Sequence, residues 1–341
     1  MYFYLRYFFK FLQIKAILGA SSEFDLNLYI YFISKKYMKR LSVQLLSLLL
    51  CCAAFASCTT NPYAATNKSY KKQAKAYAKS LRAIPAAPTG EYTYPQGDHW
   101  VGTTNFNLRK PNYVIIHHTA QNSTEQTLKT FTMPSTKVSS HYVIGRDGKV
   151  YQMLHDHMRA WHGGAAKWGN NTDLNSSSIG IELDNNSSEP FPEEMITSLI
   201  AVLGKLKKEH GIPTENFVGH ADIAPVRKVD PSPLFPWKTL ADNGFGLWYD
   251  EDVLDKEQVL REVPVGGEND TTPLLVMETV PKYTLPEHFN PLDALRIIGY
   301  DVRNPEAAVR AFKIHFIQTD VNAPLTEDEK LILYNLYQKY L

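Results

Sequence analysis

The chain has 341 residues, 44% of them apolar, with 36 basic against 35 acidic side chains. That length and apolar share suit one good-sized folded domain plus a smaller one and exclude a disordered chain. From Cys58 onward there are 29 basic and 33 acidic residues, a balance that argues against nucleic acid as a partner. All three cysteines, Cys51, Cys52 and Cys58, fall in one apolar segment near the N-terminus. The rest of the chain therefore has no disulfide and no thiolate, and any metal site in it must use His, Asp or Glu.

In chain order, residues 1–37 hold twelve of the thirty-six Phe and Tyr residues without a helical or strand period, and read as an overextended start ahead of Met38. From Met38, two basic residues, an apolar run and a small-residue stretch form a secretory signal peptide over 38–58. The run is short for a membrane span. Its end, Phe55-Ala56-Ser57-Cys58, resembles a bacterial lipobox, which implies cleavage before Cys58 and lipid modification of that cysteine. Residues 59–98 read as a linker, helical around 69–83. The stretch 59–85 carries six Lys or Arg and no acid, as suits a solvated stalk or a tether against anionic lipid headgroups.

Residues 99–261 alternate β-branched runs with helical periods. Strands are expected at YVIIH 113–117, YVIG 142–145, KVYQML 149–154, SIGIEL 178–183 and FVG 217–219, with Asp147-Gly148 turning a hairpin between the second and third. One helix should start near Ser123, with Gln126 in capping-box position, and a longer one should fill 192–210 and close at Gly211. Hairpin and helical connections together imply a mixed β-sheet flanked by helices. Prolines and glycines at 262–286 should interrupt any long element and mark a connector. Helical patterns at 291–298, 305–317 and 326–340 then predict a small three-helix domain over 287–341, the last helix opening on a Thr326/Glu329 capping box.

Histidines concentrate in the α/β region. His117 and His118 end a strand on opposite faces, so one of them can reach a shared site while the other packs. His220 follows the FVG strand, and Asp230 lies ten residues on in a segment stiffened by Pro225, Pro231, Pro233 and Pro236. Two histidines and an aspartate from separated loops suffice for catalytic zinc, which needs three protein ligands and an open position for water.

Four stretches, IIHHTA, AWHGG, SIGIELDN and GHADIAPVRKVDP, occur in an order that resembles the zinc-dependent N-acetylmuramoyl-L-alanine amidases of the type-2 class, which share their fold with peptidoglycan recognition proteins. The resemblance covers roughly 90–250. It implies zinc held by His117, His220 and Asp230, with Glu182 moving the proton of the attacking water and Lys228 stabilising the oxyanion. Trp161, His162 and Arg227 are candidates for sugar and peptide contacts. One departure is Ser232, where the family commonly has Gly. The segment 294–340 resembles the peptidoglycan-binding-like helical domain appended to lipoprotein members of the family. The implied substrate is peptidoglycan or its muropeptides, cut between N-acetylmuramic acid and L-alanine. A monomer is expected, lipid-anchored at the outer membrane and facing the periplasm. Two other functions compete: a non-catalytic peptidoglycan-binding lipoprotein, and a zinc peptidase cutting within the stem peptide. Complete zinc ligands with Glu182 and Lys228 weigh against the first, and the lack of an HExxH motif weighs against the second.

Overall fold

The computed structural model describes residues 61–82, 108–263 and 274–341, with Gln13, Tyr31 and Lys35 as isolated positions. The expected overextended start, signal peptide and lipobox at Cys58 lie outside the described residues. The chain divides into two units, Met1–Trp100 and Val101–Leu341. Within the first, helix α1 (Ala64–Arg82) starts a turn earlier than the sequence pattern suggests, with the Asn61 side chain accepting the Tyr63 N–H.

The second unit is built on a five-stranded sheet. In chain order its strands are β1 (Tyr113–His118), β2 (Tyr142–Ile144), β3 (Val150–Gln152), β4 (Ser178–Leu183) and β5 (Phe217–Gly219), in the spatial order β3-β2-β4-β1-β5. β1 runs parallel to β4 and β5, β4 runs parallel to β2, and β2 pairs antiparallel with β3 across the Asp147-Gly148 turn. The sheet is therefore mixed, as expected. Helix α2 (Thr124–Thr132) is capped by Ser123, whose side chain accepts the Gln126 N–H. The Gln126 side chain reaches back to the Asn122 N–H, one residue short of a reciprocal box. After a short turn α3 (Leu174–Ser177), α4 (Glu193–His210) runs to Gly211, whose φ of 63° ends it in the left-handed conformation.

β1 is buried on both faces, which explains why its sequence is a continuous apolar run. Val114 and Ile116 pack in one core cluster with Met195, Leu199 and Leu203 of α4. Ile115, on the opposite face, belongs to a second cluster with residues of the C-terminal helices. Those helices are α7 (Pro291–Ile298), α8 (Pro305–Phe312), continued by a π-turn at Lys313–Ile317, and α9 (Glu327–Lys339) with both arms of its capping box made. They follow two single-turn to two-turn helices, α5 (His220–Ile223) and α6 (Trp237–Asp242). The three C-terminal helical patterns thus form where expected, but they share one apolar core with the sheet.

The expected connector differs from its sequence reading. β6 (Lys256–Val263) and β7 (Leu274–Pro281) form an antiparallel hairpin of eight residue pairs. Pro264, Gly266, Gly267 and Pro273 fall between the two strands and Pro281 ends the second, so the breakers bracket the strands and do not interrupt them.

Candidate metal centre and active site

Three adjacent parallel strands, β4, β1 and β5, each deliver one chemical group from the carboxyl end, where open α/β sheets place ligands. β1 supplies His117, β4 supplies Glu182 at the paired register position, and β5 runs directly into His220. Asp230 returns from the following loop, anchored by its carbonyl accepting the Ala221 N–H at 2.7 Å. Because side chains alternate along a strand, His117 shares a face with Ile115 while His118 turns to the other. The His118 Nδ1 accepts the backbone N–H of Ser232 at 3.1 Å.

His117 Nδ1 and His220 Nδ1 lie 2.8 Å apart, with Asp230 Oδ2 3.2 Å from the first and 3.0 Å from the second. All three residues are buried. The surrounding hydrogen bonds decide which ring nitrogens carry protons. The Ser178 hydroxyl donates its one proton to the Leu174 carbonyl, so at His162 Nε2, 3.2 Å away, it must accept. His162 Nδ1 is then an acceptor, and at 3.0 Å it takes the proton of His117 Nε2. His220 Nε2 lies 3.2 Å from the Gly163 carbonyl and 3.3 Å from the Arg227 guanidinium; with its proton directed to the carbonyl, its Nδ1 is left as an acceptor. In that arrangement both Nδ1 atoms present lone pairs toward the Asp230 carboxylate oxygen.

Three electron-rich atoms so close repel unless a cation lies among them. A triangle of these edges has a circumradius of roughly 1.7 Å, short enough for one ion at zinc's bond lengths of about 2.0–2.2 Å to touch all three. Burial, and next the neighbouring His220, push the His117 imidazole down to about 4, which keeps it neutral and able to ligate near neutral pH. The donor set fits zinc. A second acidic and histidine group, Asp156, Glu209 and His210, already has a cation: Lys205 Nζ lies 2.7 Å from Glu209 and 3.5 Å from Asp156.

Glu182 lines a cleft of about 220 Å³ together with His117, His220, Asp230, Lys228 and Trp161. Burial first, then the Asp230 carboxylate, push its carboxyl up to about 8, against the opposing pull of Lys228. It forms no ion pair among the described residues. A carboxyl poised near neutrality is suited to taking and returning a proton.

The family profile described as N-acetylmuramoyl-L-alanine amidase matches residues 107–233, which contain every residue of this site. N-acetylmuramoyl-L-alanine amidase AmiD of Escherichia coli is 33% identical over 249 residues, covering 67% of this chain and 82% of that protein. The chain belongs to the N-acetylmuramoyl-L-alanine amidase family. A solved structure of E. coli AmiD in complex with the substrate anhydro-N-acetylmuramic acid-L-Ala-D-gamma-Glu-L-Lys matches 71% of this chain at TM-score 0.54 and 28% identity, covering 94% of that chain. AmpDh3 of Pseudomonas aeruginosa, solved with an anhydromuramic pentapeptide, matches 73% of this chain at TM-score 0.55 and 26% identity, covering 99% of that chain. The 1,6-anhydro-N-acetylmuramyl-L-alanine amidase AmpD of E. coli is 38% identical over 101 residues, so this chain spans about half of it: 55% of its length.

In this amidase, the residues expected from sequence to touch substrate separate into two groups. Trp161 is 53% exposed at the cleft, its backbone N–H held by the Ser139 hydroxyl. It is a rim aromatic, not a core one. His162 is buried, and its bonds to His117 and Ser178 make it the group that fixes the His117 tautomer. Arg227 folds back onto the Ala165 and Gly163 carbonyls, with Nη2 3.3 Å from His220 Nε2. It thereby buttresses the carbonyl that receives the His220 proton. A Cβ at Gly164, whose φ is +59°, would sit 2.9 Å from that guanidinium. Sequence reasoning gave no role to Ser178, Asn175 or Gly180. Asn175 Oδ1 accepts the N–H groups of His162 and Gly163, and Gly180 leaves room for the His162 ring.

Proposed function

We propose that the chain is a zinc hydrolase of peptidoglycan stem peptides, cutting the amide between N-acetylmuramic acid and L-alanine. The observation that carries this reading is the convergence of His117 Nδ1, His220 Nδ1 and Asp230 Oδ2 within 3.2 Å of one another in a buried site that opens on the Glu182 cleft. Zinc bound there supplies a Lewis acid that acidifies water and polarises the scissile carbonyl. Glu182 takes the proton of the attacking water and passes it to the leaving amine, a shuttle that its raised pKa supports. Lys228, in the same cleft, offers fixed positive charge to the developing oxyanion. Trp161 offers an apolar face with an N–H at its edge to sugar or peptide at the rim.

Incubating the purified chain with defined muropeptides, with and without chelator, and weighing the products tests this reading. Intact stem peptide should be released, and chelation or Glu182→Ala should stop its release. Zinc binding without cleavage of any muropeptide would leave a binding protein and overturn the hydrolytic reading.

Anchoring to a membrane through lipid on Cys58, at the outer membrane and facing the periplasm, is the second part of the proposal. Its support is α1, in which Lys68, Lys71, Lys72, Lys75, Lys79 and Arg82 follow one another at one-, three- and four-residue steps. At the helical period these cations share one face, where like charges four apart repel. Anionic headgroups would relieve that repulsion, at about 1 kcal/mol per basic residue near the surface. Mass spectrometry of the N-terminal peptide from envelope fractions should find Cys58 carrying lipid. A peptide reading through Cys58 without it would refute the anchor.

A further inference from the structure

The carboxylate of Asp222, two residues beyond His220, is buried and takes no part in the proposed chemistry. Its Oδ2 accepts the backbone N–H of Gly219 at 2.6 Å, the residue immediately before His220. Its other partners come from the C-terminal segment, Tyr300 just past α7 and His315 in the π-turn after α8. The Tyr300 hydroxyl donates to Oδ1 at 2.8 Å, and His315 Nδ1 lies 2.8 Å from Oδ2.

Both partners are themselves held. The Tyr300 ring meets Trp168 edge to face at 5.0 Å. The Gly299 carbonyl before it accepts the Gly169 N–H at 2.7 Å. The His315 ring stacks on Trp237 at 3.7 Å and on Phe316 at 4.1 Å. Two more bonds cross between the same partners: Arg310 Nη2 donates to the Pro225 carbonyl at 2.8 Å, and Gln318 Nε2 donates to the Phe235 carbonyl at 2.5 Å. The segment 219–235, which carries His220, Lys228 and Asp230, is thus gripped at its beginning, middle and end by the C-terminal helices.

We propose that the C-terminal helical domain is a positioning element for the metal centre, acting through Tyr300 and His315 on Asp222 and through Asp222 on the Gly219–His220 backbone. A carboxylate at this depth keeps its place only while its hydrogen bonds are satisfied. With an outer partner gone, the carboxylate is no longer fixed in orientation, and the Gly219 N–H loses a rigidly held acceptor. His220 would then lose the fixed backbone from which its Nδ1 meets His117 Nδ1 and Asp230 Oδ2. The proposal rests on the zinc reading above.

The test compares the full-length chain with Tyr300→Phe, which removes one hydroxyl and keeps the ring packed, and with His315→Leu. His315→Asn serves as the conservative variant that retains a donor. Three quantities are measured: zinc affinity by competition with a chromophoric chelator, the visible spectrum of the cobalt-substituted protein, and the melting temperature without metal. Tyr300→Phe and His315→Leu should each weaken zinc binding on the order of tenfold, the lower end for groups that orient a metal ligand. Their cobalt spectra should change, and His315→Asn should recover part of the affinity. KM for a muropeptide should stay within about twofold, because the Trp161 rim is untouched. Zinc affinity within twofold of the parent, with only the melting temperature lowered, would mean that the junction is packing alone and overturn the proposal. A parent chain that binds no zinc would overturn the metal reading, and this proposal with it. If His315→Leu does not fold, Tyr300→Phe decides between these outcomes.

Discussion

The hydrogen-bond chain that fixes the His117 tautomer passes over Gly180, and one methyl group there should break it. A Cβ at Gly180 would lie 2.4 Å from His162 Cγ and 2.7 Å from both Cδ2 and Nδ1. Carbon contacts settle at about 3.5–4.0 Å, so the ring must retreat by about an ångström. It is pinned on both sides, by His117 at 3.0 Å and Ser178 at 3.2 Å, and that shift carries at least one of the two bonds past the useful range of about 3.5 Å. Overpacking of this kind costs about 1–3 kcal/mol of stability. The more specific loss is at the metal: with His162 displaced, nothing holds the His117 proton on Nε2, and zinc affinity should fall about 10–100-fold. The assay is chelator competition on folded Gly180→Ala protein beside a Gly204→Ala control. At Gly204, inside α4, the added Cβ meets only Phe245 Cζ at 3.9 Å and should stabilise by about 0.4–1 kcal/mol. Gly180→Ala with parental zinc affinity and parental activity would refute the tautomer argument.

Glu182→Gln should keep its zinc and lose activity by about 10²–10⁴-fold, checked by metal content and turnover of a defined muropeptide. Trp161→Ala should raise KM severalfold with kcat nearly unchanged, because an exposed rim aromatic binds ground and transition states alike. Asp156→Asn should destabilise near neutral pH by about 1–3 kcal/mol. Burial works against this carboxylate, but Tyr142, His210 and Lys205 hold its pKa below the ordinary value. Its contribution is therefore complete above the unfolded value of about 3.9 and fades as pH falls toward the folded one, so urea unfolding should show the two proteins converging in acid. Phe312→Ala, in the cluster that joins Ile115 to the C-terminal helices, should cost about 3–5 kcal/mol and leave a single cooperative calorimetric transition for 108–341. Two separated transitions would contradict a shared core.

Much of the amidase region was legible in the sequence because its signals are local. The run YVIIHH reads as a doubly buried strand ending in chemistry, and the three-to-four spacing of Met195, Leu199, Leu203 and Leu206 reads as a core-facing helix. The proline-rich stretch after His220 reads as a stiff loop, although its first turn, His220–Ile223, is helical, because Pro225 and the later prolines lie beyond it. The β6–β7 hairpin escaped because its strands lack alternation: apolar residues lie on both exposed faces, so the period-two pattern that a half-buried hairpin shows is missing.

The supports of the His117–His220–Asp230 cluster left no such trace. His162 and Arg227 look like substrate contacts in a linear reading, since a histidine and an arginine beside a cleft tryptophan carry no mark of the direction in which they point. Their roles follow from partners far away in sequence, His117 being 45 residues from His162, and Gly163 being 64 residues from Arg227. Asp222 is the sharper case. In sequence it is one acid in a short polar-apolar alternation; in the fold it meets donors 78 and 93 residues downstream. A ligand type can be read from chemistry and local spacing, but its orientation depends on groups that only the folded chain brings together. If the cluster holds zinc as proposed, substitutions at Ser178, Gly180 and Asp222 should lower zinc affinity although none of the three touches the ion, because each holds a proton or a backbone in the arrangement that turns two Nδ1 lone pairs toward Asp230.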